Sequence, residues 1–157
     1  MNVILDTKDF NTKYIFFQKP ITNTVIDKSK FIRILYSNEL MILNGIYIIV
    51  NLKINNIQAY FNRYKYNFDA SENKNIIDKI KYLEHSILQQ YKCNKIKKYK
   101  ITEQLNNCNI KIYTDTSINN IPSNFILKIS GIWESDYEYG ITYKFIIINH
   151  LYEKTLK

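Results

Sequence analysis

The chain holds only three glycines, two prolines and two alanines in 157 residues. Its glycines, Gly45, Gly131 and Gly140, lie far apart. That excludes a Gly-rich phosphate loop, which needs several glycines close together so that backbone N–H groups can cradle an anion. The same scarcity excludes collagen-like and Pro/Gly-rich linker sequences. The two cysteines, Cys93 and Cys108, stand 15 residues apart with no histidine beside them. This spacing fits neither a zinc site nor a disulfide framework, and it reads as two reduced thiols in an intracellular protein. His85 and His150 are the only histidines. Neither has a local nucleophile, so a Ser-His-Asp or Cys-His site is not expected. The longest apolar run, residues 46–50, falls far short of the ~20 residues of a membrane span. Residues 1–10 include Asp6 and Asp9 and lack a basic stretch followed by an apolar core, so no signal peptide is expected.

What is present is equally uneven. The sequence has 29 isoleucines, 20 asparagines, 20 lysines and 14 tyrosines, 83 residues in all. Codons for these four begin with A or T in both first positions, whereas those for Ala, Gly and Pro begin G/C-rich. The composition is therefore that of an AT-rich genome, and part of the net charge of +8 reflects that bias rather than a polyanionic partner. With 46% hydrophobic and 15% aromatic residues, the chain is not intrinsically disordered. Its length fits one domain over residues 1–157, able to bury a core without staples.

Three stretches follow in order. The first is β-rich: residues 14–17, residues 31–37 (FIRILYS), and residues 40–53, where apolar runs flank Asn44-Gly45. That dipeptide suits a type I′ hairpin or a glycine bulge in one bent strand, and the sequence does not separate the two. The second is helical. Asp69 and Glu72 fit a capping box, and Ile76, Ile77, Ile80, Leu83, Ile87, Leu88 and Tyr91 form a stripe of period 3.6. The third is β-rich again: residues 109–113 alternate, and residues 125–133 and 141–149 read as a long hairpin with a polar, aromatic tip at 134–140. Lys128, Ser130 and Ile132 fall on one face of its first strand, Leu127, Ile129 and Trp133 on the other. The expected class is α+β: an antiparallel sheet or oligonucleotide-binding (OB)-like barrel with one long central helix between two β-rich halves.

Two segments carry chemistry. Residues 59–68 (AYFNRYKYNF) interleave Tyr60, Phe61, Tyr64, Tyr66 and Phe68 with Arg63 and Lys65. Rings stack on bases and cations track phosphates, the pattern of a single-stranded nucleic-acid binder. An amphipathic segment that packs half its rings has the same pattern. Residues 92–100 (KCNKIKKYK) hold Lys92, Lys95, Lys97, Lys98 and Lys100 without an acid. Such clustering does not follow from uniform AT bias. It suits counterion release on a polyanion, or a solvated loop at the helix C-terminus. Lys128 and Lys144 on the C-terminal strands join the candidate set, with Trp133 as a core ring or stacking platform beside Tyr137 and Tyr139. Glu134, Asp136 and Glu138 alternate as a hard cation would require, or as a solvated tip. No cofactor and no catalytic residue is expected, and the chain reads as a non-enzymatic protein.

The blocks FIRILYSNELMILNGIYI and ILKISGIWESDYEYGITYKF resemble those of small proteins of large, AT-rich DNA viruses. The strand–helix–strand order resembles the OB-barrel single-stranded-DNA-binding proteins that such viruses encode. The resemblance covers most of the chain loosely. It implies a single-stranded nucleic-acid partner, DNA before RNA, no membrane, a host-cytoplasmic or replication-site location and a homo-oligomer. Phage-type members end in an acidic tail with a final aromatic, whereas this chain ends in the basic HLYEKTLK, a departure at the segment through which such tails dock. The alternative is a viral structural or assembly protein that works through its strand edges.

Overall fold

A computed structural model describes residues 3–114 and 121–148. A 3-10 turn, Thr12–Tyr14, leads into β1 (Ile15–Phe17), β2 (Ile21–Thr22), β3 (Lys30–Ser37), β4 (Ile42–Asn44), β5 (Ile46–Asn51), β6 (Ile54–Tyr60) and β7 (Arg63–Phe68). Then come α1 (Lys74–Gln90), β8 (Ile96–Lys98), α2 (Lys100–Asn106), β9 (Asn109–Tyr113), β10 (Asn124–Glu134) and β11 (Glu138–Ile147). The α+β plan holds, with a second helix inside what reads as a lysine-rich loop.

The main sheet is mixed and curled. Its path runs β1-β3-β10-β11-β8, with β2 and β4 on β3 and β5 on β10. All its strand pairs are antiparallel except β8 with β11. One edge of β10 is shared end to end: residues 124–129 pair with β5 and residues 131–134 with β3. Gly45 makes that sharing possible. It lies between β4, which pairs with β3, and β5, which pairs with β10, at φ +94°. The Asn-Gly pair is therefore a bend at which the chain changes partners, not a hairpin turn. A Cβ at Gly45 would lie 2.7 Å from the Ile129 carbonyl oxygen, so glycine is required by space as well as by φ. The two β-rich stretches are not separate halves, because β3 and β5 sandwich into one sheet with β10.

The hairpin β10–β11 forms as expected, but its strands extend to Glu134 and from Glu138, leaving a shorter tip. A bulge between Ile129 and Gly131 shifts the strand phase. Ile132, not Trp133, thereby joins Leu127 and Ile129 in the core. Trp133 is half-buried, its indole lying over Gly140. Tyr139 is fully buried and donates to the Leu88 carbonyl at 3.2 Å.

The expected helical stripe is the buried face of α1, with Ile77, Ile80, Leu83, Ile87 and Leu88 in the core. The helix starts later than the capping-box spacing indicates. Asp69 instead accepts from the Ser71 N–H and hydroxyl, closing a turn, and the helix begins after Asn73. Asn73 spends its side chain on the Lys53 backbone, accepting from its N–H at 2.8 Å and donating to its carbonyl at 3.2 Å.

A second sheet, β6-β7-β9, is antiparallel and takes strands from both sides of α1. Its inner face carries Tyr66, Phe68, Ile110 and Ile112 into the same core, and Tyr66 meets Phe125 of the main sheet edge-on at 5.5 Å. Among the described residues no helix is long and apolar enough to cross a membrane. His150 and the basic C-terminal segment lie outside the described residues.

Candidate nucleic-acid interface

Strand alternation decides which members of the aromatic–basic segment reach solvent. Residues 59–68 fold as a hairpin, β6–β7, with Phe61 at its tip at φ +51° and fully exposed. Tyr66 is 0% exposed and Phe68 is buried. Tyr66 therefore cannot stack on a base, contrary to expectation, because the pleat turns it inward. Its hydroxyl is buried without a hydrogen-bond partner, and burial pushes that phenol up to about 12. Tyr64 points the same way and is half-buried against the core. Both readings of the segment are thus realised, one on each face.

The outer face holds the cations. The register sets Arg63 between Tyr60 and Tyr113, and Lys65 between Gln58 and Lys111. Asn67 lies between Asn56 and Asn109 or its neighbours in the same pattern. The Arg63 guanidinium sits 5.2 Å from the Tyr113 ring centroid. Tyr60 and Tyr113 are 55% and 64% exposed, enough ring surface for stacking. No carboxylate stands in these rows. Lys111 and Tyr113 were not among the residues expected from sequence, although the alternation of NIKIY already puts them on the face opposite Ile110 and Ile112.

This face opens into a cleft of about 820 Å³ between β9 and β11. Lys65, Lys111 and Tyr113 line one side, Lys100 of α2 and Lys144 of β11 the other. The fold thereby gathers Lys65, Lys100 and Lys144, which lie up to 79 residues apart in sequence. Lys100 is paired with Glu103 at 2.9 Å. Tyr143 is held by donating to Gln104 Oε1 at 2.7 Å, and burial raises its phenol pKa. Lys144 stands directly opposite Lys128 across β10–β11.

The lysine cluster is organised differently from expectation. Lys95 donates to Glu134 Oε1 and to the Ser135 carbonyl, both at 2.6 Å, and Lys98 pairs with Glu138 at 2.9 Å. Lys97 donates to Gln89. Lys92 is exposed. Three of the five lysines, counting Lys100, thus face carboxylates, so the cluster offers much less free charge than its composition suggests. The acidic tip is the reason: Glu134 and Glu138 serve neither a cation nor solvent alone but hold β8 and its flank onto β11. Among the described residues no group of acids, histidines or cysteines could hold a metal ion. Lys95 and the donating Tyr91 hydroxyl keep the Glu134 carboxyl below its ordinary value.

His85 stacks on Tyr99 with ring centroids 6.0 Å apart. Glu84, next to it, is the group that sequence reading missed. It is fully buried, yet accepts from the Ile101 N–H (3.0 Å), the Thr102 N–H (2.7 Å) and the Thr102 hydroxyl (2.7 Å), capping α2 from outside. Burial raises its pKa in spite of those donors. Cys93 and Cys108 are free and half-buried.

No family model matches the chain, and no curated protein or solved structure matches it.

Proposed function

We propose that the chain is a non-enzymatic protein that binds single-stranded nucleic acid across the outer face of β6-β7-β9 and into the adjoining cleft. The observation that carries this is the pairing of like charges. Lys65 opposes Lys111, and Lys128 opposes Lys144, with no acid in the same cross-strand rows. Like charges directly opposite each other destabilise a sheet, and elsewhere the chain answers its lysines with carboxylates. A polyanion is the ligand that relieves both pairs, and the exposed rings beside them favour bases that are free to unstack.

In this reading Arg63, Lys65, Lys111 and Lys144 contact phosphates, while Tyr60 and Tyr113 stack on bases. The curled sheet is compatible with an OB-like barrel, and the AT-rich composition with a viral origin. Fluorescence anisotropy with a labelled ~30-mer, as DNA and as RNA, tests it. Binding that weakens steeply with salt supports the proposal, and none at low salt overturns it.

A second reading is favoured by a different observation. Val25, Leu40 and Ile42 are 90%, 88% and 73% exposed, in or beside the loops that flank β3. β6 is also an uncharged edge strand. Both features suit protein–protein assembly. Sedimentation showing a defined oligomer that ignores added oligonucleotide would favour this reading.

A further inference from the structure

The cationic surface does not stop at the cleft. Lys144 lines the cleft and is also the direct cross-strand partner of Lys128 on the outer face of the main sheet. Lys128 is in turn the partner of Tyr47 on β5, with its Nζ 5.3 Å from the Tyr47 ring centroid. Beyond it lies a second pocket, of about 300 Å³, where Arg33, Asn44, Tyr47, Lys128 and Ser130 converge from four strands and a bulge. Arg33 is fixed there by donating to Asn44 Oδ1 at 2.9 Å, and its guanidinium sits 5.8 Å from the Phe31 ring centroid. Both cations are therefore held in place by neutral groups, and no carboxylate lines the pocket. Lys95 and Lys98, by contrast, are neutralised by acids. An oriented pair of uncompensated cations beside an aromatic ring matches a phosphodiester with its base.

We propose that a bound single strand runs crosswise over the strands, from β6 through the cleft and over Lys144, and ends in the Arg33–Lys128 pocket, which takes a phosphodiester. This extension rests on the nucleic-acid reading above. It makes the footprint span both sheets, so a probe of about 12 nucleotides can fill what a probe of about 4 cannot, within the range known for such barrels.

The test is equilibrium binding of labelled oligothymidylates of about 4 and about 12 nucleotides to the full chain and to its Arg33→Ala/Lys128→Ala variant. The wild-type chain is expected to bind the long probe at least about tenfold tighter. The variant keeps its short-probe affinity, which also reports that it is folded, and loses most of the long-probe gain. Its log–log salt slope with the long probe falls by about 1.4, at about 0.7 for each lost phosphate contact on a single strand. Unchanged long-probe affinity and slope in the variant overturn the extension alone, as does an equal loss for both probes. Failure of the wild-type chain to bind either probe overturns the nucleic-acid reading itself, and the extension with it.

Discussion

Lys65 of β7 stands directly across from Lys111 of β9, cation facing cation on an exposed sheet face, with Gln58 and not an acid as the next neighbour in the row. Such an arrangement costs the free protein stability, by roughly 0.2–1 kcal/mol relative to a neutral pair. Converting one partner, by Lys111→Glu, turns repulsion into a cross-strand ion pair. The variant is expected to melt about 2–4 °C higher, as suits about 1 kcal/mol in a chain of this length. It is also expected to bind single-stranded oligonucleotide about tenfold more weakly. A thermal melt and an anisotropy titration on the same sample check both. A variant that gains stability and binds as well as the wild type would remove this pair from the interface.

The rings divide by strand parity, and so should their effects. Tyr60→Ala and Tyr113→Ala each remove an exposed stacking surface, and each is expected to weaken binding by ~1–3 kcal/mol while leaving stability near the wild-type value. Tyr66→Phe is expected to do the reverse. The Tyr66 hydroxyl is buried without a partner, so its removal stabilises the fold by about 1 kcal/mol and leaves affinity unchanged. Denaturant melts and titrations of the three variants would separate the two faces of one hairpin.

Much of this was legible in the sequence, for identifiable reasons. The stripe of α1 and the β10–β11 hairpin show because periodicity is local information. The aromatic–basic segment was visible too, but reading it as one surface merged two faces that a strand keeps apart. The lysine cluster was misleading in another way. Residues 92–100 contain no acid, yet Glu134 and Glu138 arrive from more than 30 residues downstream and neutralise Lys95 and Lys98. The bulge at Ile129/Gly131 inverted the assignment of Ile132 and Trp133, because one inserted residue reverses every side chain beyond it. Glu84 sits on the apolar stripe and reads as an outlier until α2 is placed against it. Lys65, Lys111 and Lys144 meet only through tertiary structure.

That neutralisation is itself testable through salt. Each lysine that contacts a phosphate contributes about 0.7 to the log–log salt slope on a single strand. Arg63→Ala is expected to lower the slope by about that amount. Lys95→Ala and Lys98→Ala are expected to leave it unchanged, because their charge is already answered within the protein. Lys95→Ala is also expected to lower the melting temperature, since it strips Glu134 of its main cation. A slope that falls equally in all three variants would return the lysine cluster to the interface.

The two structural carboxylates, Glu84 and Glu134, should respond to acid in opposite senses. Hydrogen bonds from Lys95 and Tyr91 depress the Glu134 pKa below its unfolded value. Its stabilisation is therefore present above the unfolded pKa of about 4.3 and is lost as pH falls through the lower folded value. Glu84 is raised, chiefly by burial, so its contribution is complete below the unfolded pKa and declines as pH rises through the higher folded value. Denaturant melts of the wild type, Glu134→Gln and Glu84→Gln between about pH 3 and 7 would show this. The stability advantage of the wild type over Glu134→Gln shrinks with acid, while its advantage over Glu84→Gln grows. Glu84→Ala, which orphans three donors at the start of α2, is expected to cost about 2–4 kcal/mol at neutral pH. It should also loosen Lys100 and the cleft wall behind it, so its oligonucleotide affinity falls although Glu84 touches no ligand. Parallel pH profiles for the two glutamine variants would show that Glu84 does not cap α2 in the manner its three hydrogen bonds describe.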